Sequence, residues 1–540
     1  MNELKKNQIH TCKIESWSSD GAGVCRIDGR AVFVPGAIPG EEWEVRIVKV
    51  TAAAVFGKGE RCLRPSPERR EPDCPAFPRC GGCTMRHVSY EAELRFKLQR
   101  VNEAYRRIGG LALEAEEILG AAQTEGYRNK AIYAVDAALR PGFFRPRSHE
   151  VIPVERCLLQ REAGDRAVAA VCDFCREQGI PAYDETTGKG VLRHVFTRTA
   201  RSTGAVQVTV IAARGFGAKT QALVEAVRAA CPETVGVILN VNKTAGNTVL
   251  AGDFYTLWGS NTLRDTLSGS DFDLSPMSFF QINPDQAERL YALAVEYAAP
   301  EGKGTVLDLY CGAGTISLCL ARGAEHVIGA EIVPAAVENA RANAARSGVD
   351  NVEFLCADAG EAAAALLRRG VRPDAVVVDP PRKGLTPEVI ECIAAMNPER
   401  VVYVSCNVAT QARDLKLFTQ LGYAPVRAAA VDMFPRTSHV ETVCLLVLRN
   451  PVTHINIDVD VEELVQDKRG AATYDQIRDY VKEQTGLHVT NLNIAQIKRK
   501  CGIIERENYN LPKSEDSKQL SCTKEKEEAI KDAFKHFGMI

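Results

Sequence analysis

A cysteine at the end of an apolar segment is the residue best placed to act as a nucleophile in this chain. The apolar run 401–405 is followed by Cys406, and a glycine loop occupies 308–314. Both patterns predict a buried strand that ends at a loop. Ligands of open α/β sheets bind where the carboxyl ends of the strands meet. A thiol at that edge is placed to attack a bound substrate.

The glycine loop predicts a nucleotide-type cofactor. Its strand carries Asp308, and the next predicted strand ends in Glu331, whose carboxylate can accept both hydroxyls of a ribose. A dinucleotide site prefers a third glycine where this chain has Ser317, so S-adenosylmethionine is favoured over NAD. A plain strand–helix turn without a cofactor is the alternative, and Glu331 weighs against it.

A third strand end adds a carboxylate to this edge. The apolar run 375–378 precedes Asp379 and a pair of prolines. Because proline cannot serve in a central strand, the chain must leave the sheet there. We therefore expect one shared site containing Asp308, Glu331, Asp379 and Cys406.

Cys406 and Glu441 together suit methylation of uracil at carbon 5, which is a poor nucleophile. Attack of a thiolate on carbon 6 gives an enolate whose charge can fall on carbon 5, and that carbon then takes a methyl group from a sulfonium. A base must afterwards remove the carbon-5 proton so that the thiol can leave. Cys406 would be the nucleophile and Glu441 the base. The alternatives are an inert strand-end thiol and a surface carboxylate.

Length and composition indicate a globular protein of several domains. The chain has 540 residues, of which 45% are apolar and 25% charged, and its formal net charge is -2. This length predicts three or four domains. Because the net charge is small, a surface that binds nucleic acid would have to be a local basic patch. No apolar run of about 18 residues occurs and the N-terminus lacks a signal core, so we expect a cytoplasmic protein without a membrane partner.

The pattern of elements predicts an α/β fold. Short alternating strands with glycine turns predict an N-terminal β-barrel, and a mixed α+β segment follows. A helix is expected at 91–109, with an apolar stripe and with Arg and Lys on its other faces. Later strands and helices alternate, which is typical of a doubly wound, Rossmann-like sheet. The expected domains are 1–62, 63–275, 276–450 and a small helical extension at 451–540.

Three of the eighteen cysteines lie close together in a loop rich in proline and glycine. Cys74, Cys80 and Cys83 are spaced as metal ligands, which is the usual role of clustered thiols in a reducing compartment. Tetrahedral zinc and an iron–sulfur cluster both need a fourth ligand. Cys62 and the pair Cys172–Cys175 are candidates, although that pair falls in a predicted helix, where a buried thiol is more usual.

Five motifs occur in the order found in a known enzyme family. They are Ser278–Asn283, Asp308–Gly314, Asp379–Gly384, Ser405–Asn407 and Asp432–Glu441. Over roughly residues 8–450 the chain resembles the RNA uracil-5-methyltransferases that modify 23S ribosomal RNA and tRNA. The resemblance implies Cys406 as the covalent nucleophile and Glu441 as the base. It implies S-adenosylmethionine contacts from Gln281, Tyr310, Thr315, Glu331, Asp358 and Asp379, although some members have asparagine in place of Thr315.

The same resemblance implies an RNA-binding module and a metal cofactor. The N-terminal segment is similar to a TRAM domain of the OB-like class, in which Trp17, Phe33, Trp43 and Phe56 either stack on bases or fill the core. The family carries a structural [4Fe-4S] cluster, and zinc is the alternative. The metal ligands would be Cys74, Cys80, Cys83 and Cys157.

The expected protein is therefore a cytoplasmic, monomeric methyltransferase that forms 5-methyluridine in RNA. The first choice of substrate is 23S ribosomal RNA, and tRNA is the alternative. A non-catalytic RNA-binding assembly factor is disfavoured by the intact Cys406 and Glu441. A radical iron–sulfur methylase is disfavoured because four thiol ligands leave no open iron for the cofactor.

Two further regions suggest RNA contacts. The segments 127–130 and 143–147 combine aromatic and basic residues, which suits a flipped or single-stranded base. A solvated face with core aromatics is the alternative. Residues 473–501 resemble a helix-turn-helix in outline, with Lys498–Lys500 able to touch phosphates, and a docking appendage is equally compatible with that pattern.

Overall fold

The computed structural model describes residues 4–244, 246, 248–299, 304–449, 474–501, 524–537 and 539. The chain divides into two units, Met1–Pro451 and Val452–Ile540. The described parts of the first unit contain sheets of six, seven and eight strands and one two-stranded hairpin. Across the described ranges, every helix is too short or too polar to cross a membrane.

Alternating apolar residues in the N-terminal strands form a small curled sheet. Its strands are β1 (Ile9–Lys13), β2 (Ser16–Trp17), β3 (Gly23–Ile27), β4 (Arg30–Val34), β5 (Glu42–Val50) and β6 (Val55–Arg64). The order is β1-β5-β6-β4-β3-β2, and β1 also contacts β3, so the sheet curls towards a barrel. Alternate side chains in parts of β3, β4 and β5, including Cys25, Val32, Val45 and Ile47, are buried at its centre, as the period of a strand requires.

One helix connects the barrel to the rest of the first unit. Helix α1 (Tyr90–Ala104) continues as a single π-helical turn, Tyr105–Gly109. The helix expected at 91–109 is therefore present. Val101 of the predicted apolar stripe is buried, but Ile108 of that stripe is 45% exposed. Lys97, expected on a polar face, is fully buried.

The central sheet has helices on one face. Strand β7 (Ile118–Leu119) precedes it and joins the third sheet instead. Helices α2 (Glu162–Glu177) and α3 (Thr220–Ala230) pack on the sheet with an apolar core between them. The strand order is β10-β9-β8-β11-β12-β13-β14. These strands are β8 (Lys130–Val135), β9 (Pro141–Phe144), β10 (Val151–Pro153), β11 (Leu192–Thr199), β12 (Val206–Ala212), β13 (Thr234–Val241) and β14 (Asp253–Gly259).

The third sheet is the doubly wound one that the alternation of elements predicts. A hairpin of β15 (Leu263–Leu267) and β16 (Ser270–Leu274) precedes it. Its strands are β17 (Thr305–Leu309), β18 (His326–Glu331), β19 (Val352–Cys356), β20 (Ala375–Val378), β21 (Arg400–Ser405), β22 (Tyr423–Val431) and β23 (Glu441–Leu448). The order is β19-β18-β17-β20-β21-β23-β22-β7, in which β17 to β21 are parallel and β23 is antiparallel to both neighbours.

Helices cover both faces of this sheet, and each face has its own apolar core. The helices are α4 (Pro284–Ala298), α5 (Thr315–Leu320), α6 (Pro334–Arg346), α7 (Ala359–Arg368), α8 (Pro387–Met396) and α9 (Val408–Gln420). Because both faces are buried, the strands read as continuous apolar runs rather than alternating ones. The carboxyl ends of β17, β18, β20 and β21 are the places where ligands of such sheets bind.

The second unit contains three described helices: α10 (Tyr474–Thr485), α11 (Asn491–Lys500) and α12 (Lys524–His536). Ile477, Val481, Ile494 and Phe534 form part of its small apolar core. Its two predicted helices around Gly486 are present, and Gly486 adopts the left-handed φ of 70° that a turn there needs. The boundary between the two units lies outside the described residues.

Candidate functional site at the carboxyl edge of the third sheet

Strand register brings Cys406 and Glu441 together. Strands β21 and β23 are antiparallel, with Ser405 paired to Thr442. One step further in this register, Cys406 lies opposite Glu441. Directly opposed residues of antiparallel strands have Cβ atoms about 4.5–5.5 Å apart. The candidate nucleophile and base therefore meet at the edge of the sheet, although they are distant in sequence.

A buried amide behind the edge fixes this pairing. The side-chain oxygen of Gln411 accepts hydrogen bonds from the hydroxyls of Thr442 and Tyr105, each at 2.8 Å. Its amide nitrogen donates to the Tyr403 carbonyl at 2.9 Å. The Thr442 hydroxyl also contacts the Ser405 carbonyl at 3.2 Å. Both strands and helix α9 are thus tied to one fully buried side chain.

Burial controls the protonation of both groups. It raises the pKa of Glu441 to about 8, and the charge of Asp379 adds to this while Arg382 opposes it. Burial also raises the pKa of Cys406 to about 11; Glu441 and Asp379 add to the effect, and Arg382, which donates a hydrogen bond to the thiol, lowers it. A carboxyl pKa near 8 is suited to proton transfer close to neutral pH.

Asp379 connects this pair to the cofactor loop. Burial raises the pKa of Asp379 to about 7. Burial raises the pKa of Asp308 to about 7 as well, although Ser317 donates to its Oδ2 at 2.5 Å. The other oxygen, Oδ1, is buried without a hydrogen-bond partner in the described part of the chain. Both carboxyl groups, whose pKa values burial raises, favour a cationic ligand, because its charge would stabilise their ionised forms.

The end of β18 has the features expected of a ribose and adenine site. Glu331 Oε2 accepts a hydrogen bond from the Gly312 backbone at 3.2 Å, and Oε1 accepts one from Val333 at 2.8 Å. A side chain built at Gly312 would meet nothing within 4 Å, so open space lies beside the loop. Ile332 and Val333 are 61% and 50% exposed and offer apolar surface.

The remaining cofactor candidates lie around the same loop. Tyr310 follows β17 with a left-handed φ of 67°; burial raises its pKa to about 12, and the charge of Asp358 adds to this. Asp358 caps α7 by accepting from Gly360 N at 2.9 Å. Tyr291 OH lies 3.2 Å from Thr315 Oγ1 and also contacts the Gln281 side chain. These candidates therefore surround the loop that the sequence predicts.

Helix α9 holds the loop that carries Asp379 and Arg382. Asn407 Nδ2 donates to the Arg382 carbonyl at 3.0 Å, and the Asn407 side chain also caps the helix. Gly384 adopts a left-handed φ of 76°, and a Cβ there would lie 2.4 Å from Asp414 Oδ2. Glycine is required at this turn because both the backbone conformation and the space exclude a side chain.

A buried ion-pair network holds the segment between β22 and β23. Lys97 Nζ donates to Glu93 Oε1 and Asp432 Oδ1 at 2.6 Å each, and to the Phe434 carbonyl at 3.2 Å. Tyr90 OH donates to Asp432 Oδ2 at 2.7 Å. The side chains of Lys97, Glu93 and Asp432 are fully buried. Helix α1 thereby fixes the segment that leads into the candidate base.

The cysteine loop binds the same segment. The backbone N–H groups of Thr84 and Met85, which follow Cys83, both donate to the Arg436 carbonyl at 3.0 Å. The Ser438 backbone donates to Thr84 Oγ1 at 2.9 Å. The path to the candidate base is therefore held on one side by α1 and on the other by the cysteine loop.

The four expected metal ligands line one cavity. Cys74, Cys80, Cys83 and Cys157 share it with Arg86, Arg128 and apolar side chains. Across the described ranges, no three or more His, Cys, Asp or Glu side chains are arranged to hold a metal ion. Sulfur lies about 2.3 Å from zinc, so zinc ligands must approach one another within about 4 Å. The thiols converge without forming such a single-ion site, and metal binding itself is not shown.

The other cysteines considered as ligands lie elsewhere. Cys172 and Cys175 are buried on α2 in the core of the central sheet. Cys62 lies on the last strand of the barrel, β6. These three thiols are absent from the lining of the cysteine cavity.

Part of the aromatic and basic segment 127–130 serves the protein interior. Asn129 Nδ2 donates to the Gln281 carbonyl at 2.8 Å, and Lys130 Nζ donates to the Phe280 carbonyl at 3.0 Å. Burial lowers the pKa of Lys130 to about 7. These side chains position the segment around Gln281, a role that their composition alone does not indicate.

The four aromatic residues of the barrel divide between two uses. Trp17 packs edge-on against a phenylalanine of α1, with ring centroids 5.2 Å apart. Arg69 lies over the Trp43 ring at 5.4 Å. Phe33 and Phe56 form a pair at 5.8 Å, and Phe56 is 37% exposed. Phe56 therefore presents an exposed ring surface on which a base could stack.

Sequence reasoning missed three positioning side chains. Arg382 lies inside a motif used to recognise the site, which was a usable signal. Gln411 has no local signal, since its partners are distant in sequence. Lys97 follows Glu93 by one helical turn, a spacing that usually marks an exposed ion pair.

Replacing Lys97 with alanine should destabilise the protein strongly. The change leaves Glu93 and Asp432 buried without their cation, and removing one partner of a buried pair typically costs about 3–5 kcal/mol. Chemical denaturation measures the free energy of unfolding. Lys58→Ala is the matched control, because Lys58 is 69% exposed and pairs with Glu60 only at 3.8 Å; equal losses for both variants would contradict the role given to Lys97.

Comparisons with known proteins identify the family. A family model described as tRNA (uracil-5-)-methyltransferase matches residues 270–449, and the TRAM domain model matches residues 3–58. An uncharacterized RNA methyltransferase of Halalkalibacterium halodurans is 41% identical over 451 residues, which cover 83% of this chain and 98% of that protein. A relative with the same description from Listeria innocua is 40% identical over 450 residues, covering 83% and 99%.

A solved structure agrees with this match. It is the Pyrococcus abyssi tRNA (uracil-54, C5)-methyltransferase in complex with S-adenosyl-L-homocysteine. It is 29% identical, with a TM-score of 0.67, and the match covers 81% of this chain and 99% of that one. The chain therefore belongs to the S-adenosylmethionine-dependent RNA uracil-5-methyltransferase family and carries an N-terminal TRAM domain.

Proposed function

We propose that this chain forms 5-methyluridine in RNA, with Cys406 as the covalent nucleophile and Glu441 as the base. The observation that carries the proposal is the pairing of Ser405 with Thr442, since it sets Cys406 opposite Glu441. Asp379 influences the pKa of both groups and of Asp308, so the same edge serves the nucleophile and the cofactor loop.

The reaction follows from these positions. The Cys406 thiolate bonds to carbon 6 of uracil, and the ring electrons move towards carbon 5 and the carbon-4 oxygen. Carbon 5 then bonds to the methyl group. Glu441 takes the carbon-5 proton, the electron pair re-forms the double bond between carbons 5 and 6, and the sulfur–carbon bond breaks. Arg382 stabilises the thiolate at the first and last steps.

S-adenosylmethionine supplies the methyl group from its sulfonium when it is bound. Glu331 is suited to accept the ribose hydroxyls, with Ile332 and Val333 beneath the adenine. The carboxyl groups of Asp308 and Asp379 favour the positive charge of the ligand. The remaining contacts are assigned to Gln281, Tyr310, Thr315 and Asp358.

We also propose that the cysteine cavity holds a structural [4Fe-4S] cluster. The support for it is that all four thiols line one cavity, as a four-iron cluster with four thiolate ligands requires, and zinc with the same four ligands is the alternative. Arg86 and Arg128 in the same lining would offset the negative charge of the thiolates. The bonds from Thr84 and Met85 to Arg436 give the site a structural role, and the cluster takes part in no step of methyl transfer.

We place 23S ribosomal RNA first among the substrates. A second candidate is tRNA, because the Pyrococcus abyssi enzyme is described as acting on tRNA uracil-54 and the matching family model is described by tRNA. The test is to map 5-methyluridine in 23S ribosomal RNA and tRNA from a strain that lacks this gene. Loss of the modification from one of them identifies the substrate, and an unchanged map in both would contradict the proposal.

Replacing Glu441 with glutamine should trap RNA on the protein. The thiol cannot leave until the carbon-5 proton is removed, so a covalent adduct accumulates on Cys406. Denaturing gel electrophoresis with labelled RNA measures the adduct. Cys406→Ala should abolish both adduct and turnover, whereas Cys392→Ala, which changes a thiol on α8, should retain activity. Normal turnover of Cys406→Ala would overturn the mechanism.

The rate should rise with pH through the pKa of Glu441. Burial places that pKa at about 8, so the basic form of Glu441 increases up to tenfold per pH unit below it, and ionisation of the Cys406 thiol, whose pKa is about 11, extends the rise above it. Arg382→Ala removes a cation that lowers the pKa of both Glu441 and Cys406, so its profile of kcat/KM should move to higher pH. Lys383→Ala is the control for the loss of a neighbouring exposed cation. Superimposable profiles for Arg382→Ala and wild type would show that Arg382 does not tune the pair.

A further inference from the structure

A second cavity, distant in sequence from the methyl-transfer motifs, lies on the central sheet. It has a volume of about 420 Å³, which falls within the roughly 300–1,000 Å³ of small-molecule sites. We name it the central pocket and define it by Phe144, His149, Tyr183, Arg193 and His194, which line it. Four of these residues also line an adjoining cavity of about 270 Å³.

A buried histidine in this pocket lacks a partner. His194 is 6% exposed, and burial with the neighbouring charge of Arg193 lowers its pKa to about 4, so the ring is neutral at neutral pH. Its Nδ1 has no hydrogen-bond partner in the described part of the protein. Such an atom is costly to leave unpaired. A neutral imidazole offers one donor and one acceptor, and because Nδ1 is shielded from solvent, Nε2 is the ring nitrogen through which the pocket can hydrogen-bond an uncharged polar ring.

Flat rings form the walls of the pocket. The Phe144 ring lies 5.6 Å from His149 and 6.3 Å from His194, measured between centroids. The Arg193 guanidinium lies 4.5 Å from the Tyr183 ring centroid and donates to two backbone carbonyls, so both side chains are held in place. Stacking surfaces beside a neutral hydrogen-bonding group are the means by which proteins hold unpaired bases.

Charge at the rim favours a base over a phosphate. Glu185 lies 3.1 Å from His149, and both are exposed at the opening. Glu150 pairs with Arg145 at 2.5 Å and so reduces the positive charge next to Phe144. A phosphate in the pocket would be repelled by these carboxylates, whereas an uncharged ring would not be.

The pocket lies on the same sheet face as the segment around Gln281. Alternate residues of a strand share a face, so His194 and Arg198 of β11 point to the same side. Arg198 Nη2 donates to the Ser278 carbonyl at 2.7 Å. Four residues of strand span roughly 13 Å. The central pocket therefore lies about one four-residue length of β11 from the side chain that binds the segment around Gln281.

We propose that the central pocket binds an unpaired base of the RNA substrate, next to but distinct from the methylated uridine. This inference rests on the proposed function in RNA and adds a second point of recognition. Phe144 stacks on the base and His194 hydrogen-bonds its edge. A free nucleotide is the other source of the same chemistry, and its phosphate is disfavoured by Glu185 and Glu150.

The test combines protein variants with RNA that lacks single bases. The wild-type protein is first assayed with unmodified 23S ribosomal RNA and tRNA transcripts, and fragments of the methylated one are made with one abasic nucleotide at a time. Phe144→Ala should raise the apparent Kd and KM about tenfold, in line with the loss of one stacked base, and leave kcat at saturating RNA unchanged. With the wild-type protein, RNA that is abasic at one position outside the target uridine should bind about as weakly as intact RNA binds Phe144→Ala. With Phe144→Ala, the same abasic RNA should bind no more weakly than intact RNA does.

Three controls make the outcome decisive. Tyr255→Ala removes a 51% exposed aromatic side chain from β14 and should bind RNA as the wild type does. His194→Ala supplies an independent variant if Phe144→Ala unfolds, which thermal denaturation reports. Adenosine monophosphate alone should bind weakly and equally to wild type and variants. The proposal is overturned if no abasic position couples to Phe144 or His194 while the wild type methylates normally; absence of methylation by the wild type would instead count against the proposed function.

Discussion

The antiparallel pairing of β21 with β23 is the constraint on which the rest of the site depends. A doubly wound sheet of parallel strands can bring only the ends of βα units to one edge. Reversing β23 allows its first residue, Glu441, to begin where β21 ends, beside Cys406. Because a shift of one residue would turn each side chain to the other face, this register decides whether Cys406 and Glu441 meet.

Several otherwise separate parts of the first unit stabilise this register. Gln411 ties both strands to α9 from within the core. Lys97 and the cysteine loop hold the segment between β22 and β23 from two sides. The barrel packs on α1 through Trp17, so the N-terminal domain contacts the helix that carries Lys97. A metal site in the cysteine loop would therefore act on catalysis through position rather than through electron transfer.

The carboxyl groups at this edge of the third sheet favour the binding of a positive charge. Asp308 and Glu441 are buried and Asp379 is partly buried, and removal from solvent raises the pKa of each. These groups make the isolated site unfavourable for further negative charge, including that of the Cys406 thiolate. In the proposed reaction, a bound sulfonium and the guanidinium of Arg382 would oppose that effect, so Coulomb interactions would link cofactor binding to activation of the thiol.

The sequence by itself determined the doubly wound sheet, the N-terminal barrel and the positions of Cys406, Asp308, Glu331 and Asp379 at strand ends. These follow from local patterns, because apolar runs, glycines and prolines report the chain's immediate surroundings. Only the tertiary structure decided that Lys97 is buried and that Gln411 joins two strands. It also decided that Asn129 and Lys130 donate hydrogen bonds to backbone carbonyls near Gln281. It also brought Phe144 to His194. Each of these facts is a contact between residues far apart in the chain, and the charge or polarity of a side chain does not reveal which distant partner makes its burial tolerable.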